Sequence, residues 1–295
     1  MSTLTTAERR GMQAICTPGG NILIVAADQR NGMKAAISDA PGGSAAISKD
    51  ELAEVKADLV RHLANHAPGI LLDPEVALPM IPDEGILSRD TALVVGLDAS
   101  GFETEDGLRF TRFVDGASAR TVRELGGDVA KMLWYVRPDR QDVNSRVADE
   151  IRALVSECES EGVLLIVELL TYQLEGESDE QYRALFPQLV VDSAALGVAC
   201  GAKVLKLQYP GSAEAAAAVT AAAGGVPWAV LSAGIDHETF ITQVRTAVAN
   251  GARGAMAGRS LWKDSLSISA VTREELLTTR ALPRLRELMA AVDGH

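Results

Sequence analysis

The chain is poor in the residues that would point to several common classes. Aromatic residues make up 4% of 295 positions and the formal charge is −12. A nucleic-acid surface needs a basic patch, commonly with stacking rings, so that class is disfavoured. Cysteine occurs three times, at Cys16, Cys158 and Cys200, without zinc or disulfide spacing, which suits a reduced cytoplasmic protein. Histidine occurs four times, at His62, His66, His237 and His295. His62 and His66 form an i, i+4 pair on an expected outer helix, and no histidine stands at a strand end, so a zinc centre or a Cys–His or Ser–His nucleophile has little to be built from. No run reaches the ~18 uncharged apolar residues of a membrane helix, and the opening "MSTLTTAERRGMQ" has no apolar stretch of a secretory signal. No membrane or nucleic-acid partner is expected; homo-oligomerisation is left open.

What the chain does have is a large apolar fraction, 47%, arranged in short runs. Asn21–Asp28, Gly69–Pro74, Ala92–Asp98, Val129–Val136, Val163–Leu170, Val204–Pro210, Trp228–Gly234 and the weaker Gly254–Gly258 read as buried strands bounded by Gly, Pro or Asp. Helical patterns fall around them at Thr5–Cys16, Lys49–Ala67 behind a cap at Ser48, Ser118–Leu125, Val143–Glu161, Asp179–Cys200, Ala213–Ala223, His237–Asn250 and Arg273–Val292. Eight strands alternating with helices predict an α/β fold, a (β/α)8 TIM barrel formed by residues 1–295 as a single domain. An open doubly wound sheet shares the alternation but not the count. The connections Asn31–Ser48, Ala99–Asp115 and Thr171–Asp179 are long and follow strands, on the face where barrels build their sites.

The stretch "GAKVLKLQYP" (201–210) carries a lysine, Lys206, between two leucines, whereas Lys203 sits at the strand's entry, where solvation is cheap. A lysine in an apolar strand has a partner or a task; desolvation disfavours an ammonium and frees the amine to attack a carbonyl. Counting by two from the strand ends gives an inward face of Ala26 and Asp28, Lys131 and Leu133, Ile166 and Glu168, Lys206 and Gln208, and Val230 and Ser232. Strands four, five and six then aim Lys131, Glu168 and Lys206 at one space. Such a triad suits Schiff-base chemistry, the carboxylate moving protons beside the amine, while a structural salt-bridge cluster inside the barrel is the competing explanation. After strands seven and eight, "LSAGID" and "AGRS" place Ser232, Gly234, Gly258 and Arg259 where many barrels hold a phosphate. Asp28, Gln29 and Arg30 end strand one and offer polar and cationic groups to the far end of a sugar phosphate. Neither a metal nor a cofactor is expected.

Taken together, "AADQR" (26–30), "ILLDPE" (70–75), "SARTVRELGGDVAKMLWY" (118–135), "VELLTY" (167–172), "AKVLKLQYP" (202–210), "PWAVLSAGIDHETF" (227–240) and "GAMAGRSLW" (254–262) resemble the class I aldolases of the tagatose 1,6-bisphosphate type, which include the sulfofructosephosphate aldolases. The resemblance runs over nearly the whole chain and implies a (β/α)8 barrel. It implies Lys206 as the Schiff-base lysine, Glu168 as the proton-transfer carboxylate and Lys131 as the accessory lysine. Ser232, Gly234, Gly258 and Arg259 would hold the phosphate of the dihydroxyacetone-phosphate half. Asp28, Gln29 and Arg30 would contact substrate, Arg30 toward the aldehyde end. One departure stands out: Gln208 occupies the place of a family glutamate. The expected activity is metal-independent cleavage of a ketose 1-phosphate such as tagatose 1,6-bisphosphate to dihydroxyacetone phosphate and glyceraldehyde 3-phosphate. A sulfofructose 1-phosphate giving sulfolactaldehyde is the alternative, and a non-catalytic sugar-phosphate sensor a more distant one.

Overall fold

The computed structural model describes residues 4–39 and 46–294; residues 1–3, residues 40–45 within the first long connection, and His295 lie outside the described part. Eight parallel strands close into a barrel: β1 Ile22–Ala26, β2 Gly69–Leu72, β3 Ala92–Gly96, β4 Val129–Tyr135, β5 Leu164–Leu170, β6 Val204–Leu207, β7 Trp228–Leu231 and β8 Gly254–Ala257. Neighbours follow chain order, and β8 pairs with β1 to close the ring, Ile22 standing beside Gly254.

Alternation along each strand divides the core in two. Ile22, Ile24, Val94, Ile166, Val204 and Met256 point inward and form a small cluster, plugged at the N-terminal end by Ile15 and Leu4. Leu23, Val25, Leu205, Leu207 and Val230 point outward into the larger layer under the helices. Strands buried on both faces read as continuous apolar runs, which is why they were legible as such. Val230 was expected inward. It faces the helices, because β7 registers Ala229 against Lys206 and therefore sends Ala229 and Leu231 inside. Ser232 still reaches the mouth because it lies past the strand's end, where the chain turns through Ala233 at φ +49°.

The helices begin where the caps are. Ser48 closes a reciprocal capping box with Glu51, as its position before Lys49–His62 predicts, and Ser178 does the same with Gln181 ahead of Asp179–Ala199. Three expectations change. The first long helix stops at His62, and His66 lies in a separate short turn, so the two histidines do not share a helical face. The closing helix is Ala270–Leu276 and Leu282–Val292 joined by a π turn at Leu277–Ala281; Pro283 has no N–H for the helical ladder, and the backbone widens before it. The long connections are partly regular: Asn31–Ser38 is helical, and most of the second is an antiparallel hairpin, Asp98–Glu105 with Leu108–Phe113.

Candidate active site

Register brings the charges of β4, β5 and β6 together. Leu133 pairs with Glu168, and Glu168 pairs with Lys206, so Glu168 and Lys206 lie side by side and Lys131 lies one inward step below. Glu168 Oε2 is 3.0 Å from Lys206 Nζ and 2.7 Å from Lys131 Nζ. The two ammonium groups thus share one carboxylate oxygen. Lys131 also donates to Asp28 Oδ2 at 3.0 Å and to Asp98 Oδ1 at 2.9 Å. All three members of the expected triad are almost fully buried.

Asp98 was seen as a strand end but given no place in the site. Two steps of alternation from the inward Val94 lead through Gly96 to Asp98, so the signal was present. Asp73 was also seen as a strand end and behaves differently. It turns away behind the rim, where it is ion-paired with the buried Lys56, and Lys56 donates to Ala27 O at 2.6 Å. Lys203, expected to be solvated, is buried and held by both oxygens of Glu8 at 2.7 and 2.8 Å.

The charges around Lys131 set its neighbours' protonation. Burial works against its ammonium, but Asp28, Asp98 and Glu168 reverse this and hold it well above the ordinary lysine range. Burial pushes the Asp28 carboxyl up, and the fields of Lys131, Lys206 and Lys56 more than undo that, leaving it at about 2. Asp98 ends on the other side: burial raises it, Lys131 offsets part, and the adjacent Asp28 and Glu168 charges add to the rise. Asp28 and Asp98 are therefore pushed in opposite directions by the same cluster, Asp28 toward the carboxylate and Asp98 toward the acid.

These groups form the floor of a cavity of about 440 Å³ at the C-terminal mouth. Every residue that the sequence singled out for the site lines it. Asp28, Gln29 and Arg30 rise from β1, and Ser232, Gly234, Gly258 and Arg259 form the adjoining wall after β7 and β8. Gly234 has φ +80°, and a Cβ there would stand 3.0 Å from the Arg259 guanidinium carbon, so the arginine packs directly on the glycine backbone. A Cβ on Gly258 would meet Ala26 O at 2.9 Å. The Gly258 N–H faces Ser232 Oγ at 3.4 Å, and the Trp262 indole donates to Ala26 O at 2.9 Å, tying the β8 turn to β1. Asp28 Oδ1 and Gln29 Oε1 are buried without a hydrogen-bond partner among the described residues, which leaves acceptors at the cavity for a ligand. Gln208 Oε1 accepts from Thr171 N at 2.9 Å, and the lining Gln208 therefore keeps its amide N–H₂ as the free polar end.

The hairpin supplies the remaining wall through Ala99, Ser100 and Gly101, with Tyr135 beside it. Among its ties are Asp98 on Lys131 inside and, outside, Arg109, whose guanidinium lies 4.4 Å from the Phe102 ring centroid and 4.6 Å from that of Tyr172. Among the described residues no group of three or more His, Cys, Asp or Glu side chains is arranged to hold a metal ion.

A closed barrel with an amine–carboxylate cluster at this end defines a barrel enzyme suited to carbonyl chemistry. The model of the DeoC/LacD family aldolases matches residues 22–264. The chain belongs to that family and is an aldolase, a carbon–carbon lyase, as the sequence reading as a class I aldolase expected. It is 26% identical over 288 residues to a tagatose 1,6-diphosphate aldolase of Lactococcus lactis subsp. lactis, covering 89% of this chain and 87% of the relative. It is 25% identical over 320 residues to tagatose 1,6-diphosphate aldolase 2 of Streptococcus pyogenes serotype M1, covering 99% and 96%. Among solved structures, an archaeal fructose 1,6-bisphosphate aldolase superposes with a TM-score of 0.67 at 18% identity, over 98% of this chain and 100% of that one. A Schiff-base-forming fructose-1,6-bisphosphate aldolase does so with a TM-score of 0.66 at 18% identity, over 97% and 99%. Among the described residues no helix is long and apolar enough to cross a membrane.

Proposed function

We propose that this aldolase cleaves a ketose 1-phosphate through a Schiff base on Lys206, with tagatose 1,6-bisphosphate as the favoured substrate. The observation that carries this reading is the single Glu168 oxygen lying 3.0 Å from Lys206 Nζ and 2.7 Å from Lys131 Nζ. A carboxylate so placed, with Lys131 as its second ion-pair partner, can take a proton from Lys206 and return it to the hydroxyl that departs as water. The neutral amine adds to the C2 carbonyl, and the carbinolamine loses water to give an iminium. The C3–C4 bond then breaks: its electron pair moves into the iminium, giving an enamine, while Glu168 receives the C4-hydroxyl proton and an aldehyde leaves. Protonation of the enamine at C3 and hydrolysis of the resulting iminium return the amine and release dihydroxyacetone phosphate.

The C1 phosphate suits the wall of Ser232, Gly234, Gly258 and Arg259, where a backbone N–H and an exposed guanidinium border the cavity. Asp28 Oδ1 and the Gln208 amide offer an acceptor and a donor to the sugar hydroxyls. The tagatose reading draws on the names of the curated relatives, glyceraldehyde 3-phosphate being the second product. Borohydride reduction with dihydroxyacetone phosphate is expected to add one three-carbon phosphate adduct on Lys206, read by peptide mass. A coupled assay over tagatose, fructose and sulfofructose phosphates then ranks substrates. An unlabelled Lys206 together with turnover abolished by EDTA overturns the reading in favour of a metal aldolase.

A further inference from the structure

Lys56 is a buried cation that the proposed chemistry leaves idle. It lies on the helix Lys49–His62 and is fully shielded from solvent. Its ammonium donates to Ala27 O at 2.6 Å and is ion-paired with Asp73. Asp73 is fixed from its other side, where Oδ1 accepts from Glu75 N at 3.1 Å and Val76 N at 2.8 Å. An ammonium in this place is costly: burial pulls Lys56 below the ordinary lysine range, against the fields of Asp73 and Asp28. A well-packed apolar side chain commonly serves stability as well as a buried ion pair does, so stability alone does not account for a charge here.

What Lys56 holds is the backbone next to the site. β1 ends at Ala26, and the Ala27 N–H still bonds Leu71 O at 2.8 Å. The carbonyls of Ala26 and Ala27 are each capped by a side chain from outside the strands, Ala26 O by the Trp262 indole at 2.9 Å and Ala27 O by Lys56. A carbonyl shares its rigid peptide plane with the next N–H, so Lys56 fixes the peptide from which Asp28 springs. The Asp28 carboxylate needs that support. Among the described residues its one hydrogen-bond partner is Lys131, at Oδ2, while Oδ1 is unpartnered at the cavity.

We infer that Lys56, braced by Asp73, is a positioning residue of the cleavage reaction: it holds the Ala27 carbonyl and thereby aims the Asp28 carboxylate at the substrate. This rests on the ketose-phosphate reading, in which Asp28 accepts from a sugar hydroxyl. Lys56 does not line the cavity and touches no substrate itself. Its influence passes through Asp28, and a misplacement of about 1 Å in such a group costs on the order of 10²-fold in rate.

The test removes both buried charges together, in the full chain, with the double variant Lys56→Met, Asp73→Asn; the asparagine oxygen still accepts from the Glu75 and Val76 N–H groups. Its kcat/KM is measured on the ketose phosphate that the wild type cleaves best, with Asp28 present and in an Asp28→Asn background. With Asp28 present a fall of about 10²-fold is expected. In the Asp28→Asn background the same pair of substitutions should cost no more than about threefold further, because the group they act through is already disabled. Unchanged kcat/KM with Asp28 present overturns the proposal, and so does a fall of equal size in both backgrounds, which would make Lys56 a general structural tie. If the methionine variant does not fold, Lys56→Gln in its place runs the same cycle. Amide hydrogen exchange over residues 27–30 needs no substrate: faster exchange is expected in the double variant, and an unaltered rate also overturns the proposal. Wild-type turnover and the borohydride adduct on Lys206 read the ketose-phosphate chemistry by themselves, so either claim can fail alone.

Discussion

Lys203 and Lys206 are three residues apart at one strand, both buried, and they sit in opposite electrostatic situations. Lys203 faces outward near the N-terminal end of the barrel, gripped by both oxygens of Glu8 and by Glu159 at 3.1 Å. Burial alone would lower its proton affinity, and those carboxylates hold it above the ordinary lysine range. Lys206 faces inward at the mouth and touches one carboxylate oxygen, which it shares with Lys131. A lysine with a private set of anions is a structural tie. A lysine that shares its one anion with a second cation and borders an open cavity is placed to meet a ligand.

The sharpest way to break this comparison is to remove each amine. Lys206→Met is expected to lower turnover by at least about 10⁴-fold with the fold intact, as loss of a covalent nucleophile does. Lys203→Met is expected to do the reverse, keeping the borohydride label on Lys206 while leaving Glu8 buried and unpaired, at a cost of about 3–5 kcal/mol in unfolding free energy. Near-wild-type turnover in Lys206→Met, or a fully stable Lys203→Met protein, would erase the distinction. Next in size is Lys131→Met, which leaves Asp28, Asp98 and Glu168 without their common cation; turnover should drop about 10²–10⁴-fold, read by single-turnover kinetics.

A pH series sharpens the same contrast. Lys203 and Lys131 have raised folded values, so their stabilisation is complete below the unfolded lysine value of about 10.4 and is lost as pH climbs through the folded ones. The stability gap between wild type and Lys203→Met should therefore narrow in alkaline melts. Asp28 has the opposite sign: depressed to about 2, it stabilises above the unfolded value of about 3.9, and that contribution fades as pH falls through about 2. In acid melts Asp28→Asn should accordingly converge on wild type. The smallest effect is expected for Gln208→Glu, which keeps an acceptor for Thr171 N but swaps the free donor for an anion two residues from Lys206. Stability should hold, and the rising limb of the pH–rate profile should move to higher pH.

Much of this was legible because strands have a period of two. That period alone aligned Lys131, Glu168 and Lys206, and it would have placed Asp98 with them had the inward count been run along the third strand as well. The hairpin was also written locally: Asp106-Gly107, both at positive φ (+51° and +76°), form a tight turn between alternating flanks. It was read as a connection because its strands carry no apolar run and, Phe110 and Thr111 apart, are not buried. Lys203 was misread for another reason. Its partner Glu8 is 195 residues away, and no local pattern announces a contact made only when the leading helix docks under the barrel. Val230 failed where alternation was counted from beyond the strand's true end.

The hairpin's first residue has one further consequence. Because Asp98 begins the loop and also balances the charge of Lys131, the rim that lines the cavity and the ion cluster on its floor are mechanically one piece. Exchanging this loop for that of a relative would alter ligand preference and chemical rate together, so new specificities should be easier to graft onto the helix that follows β1.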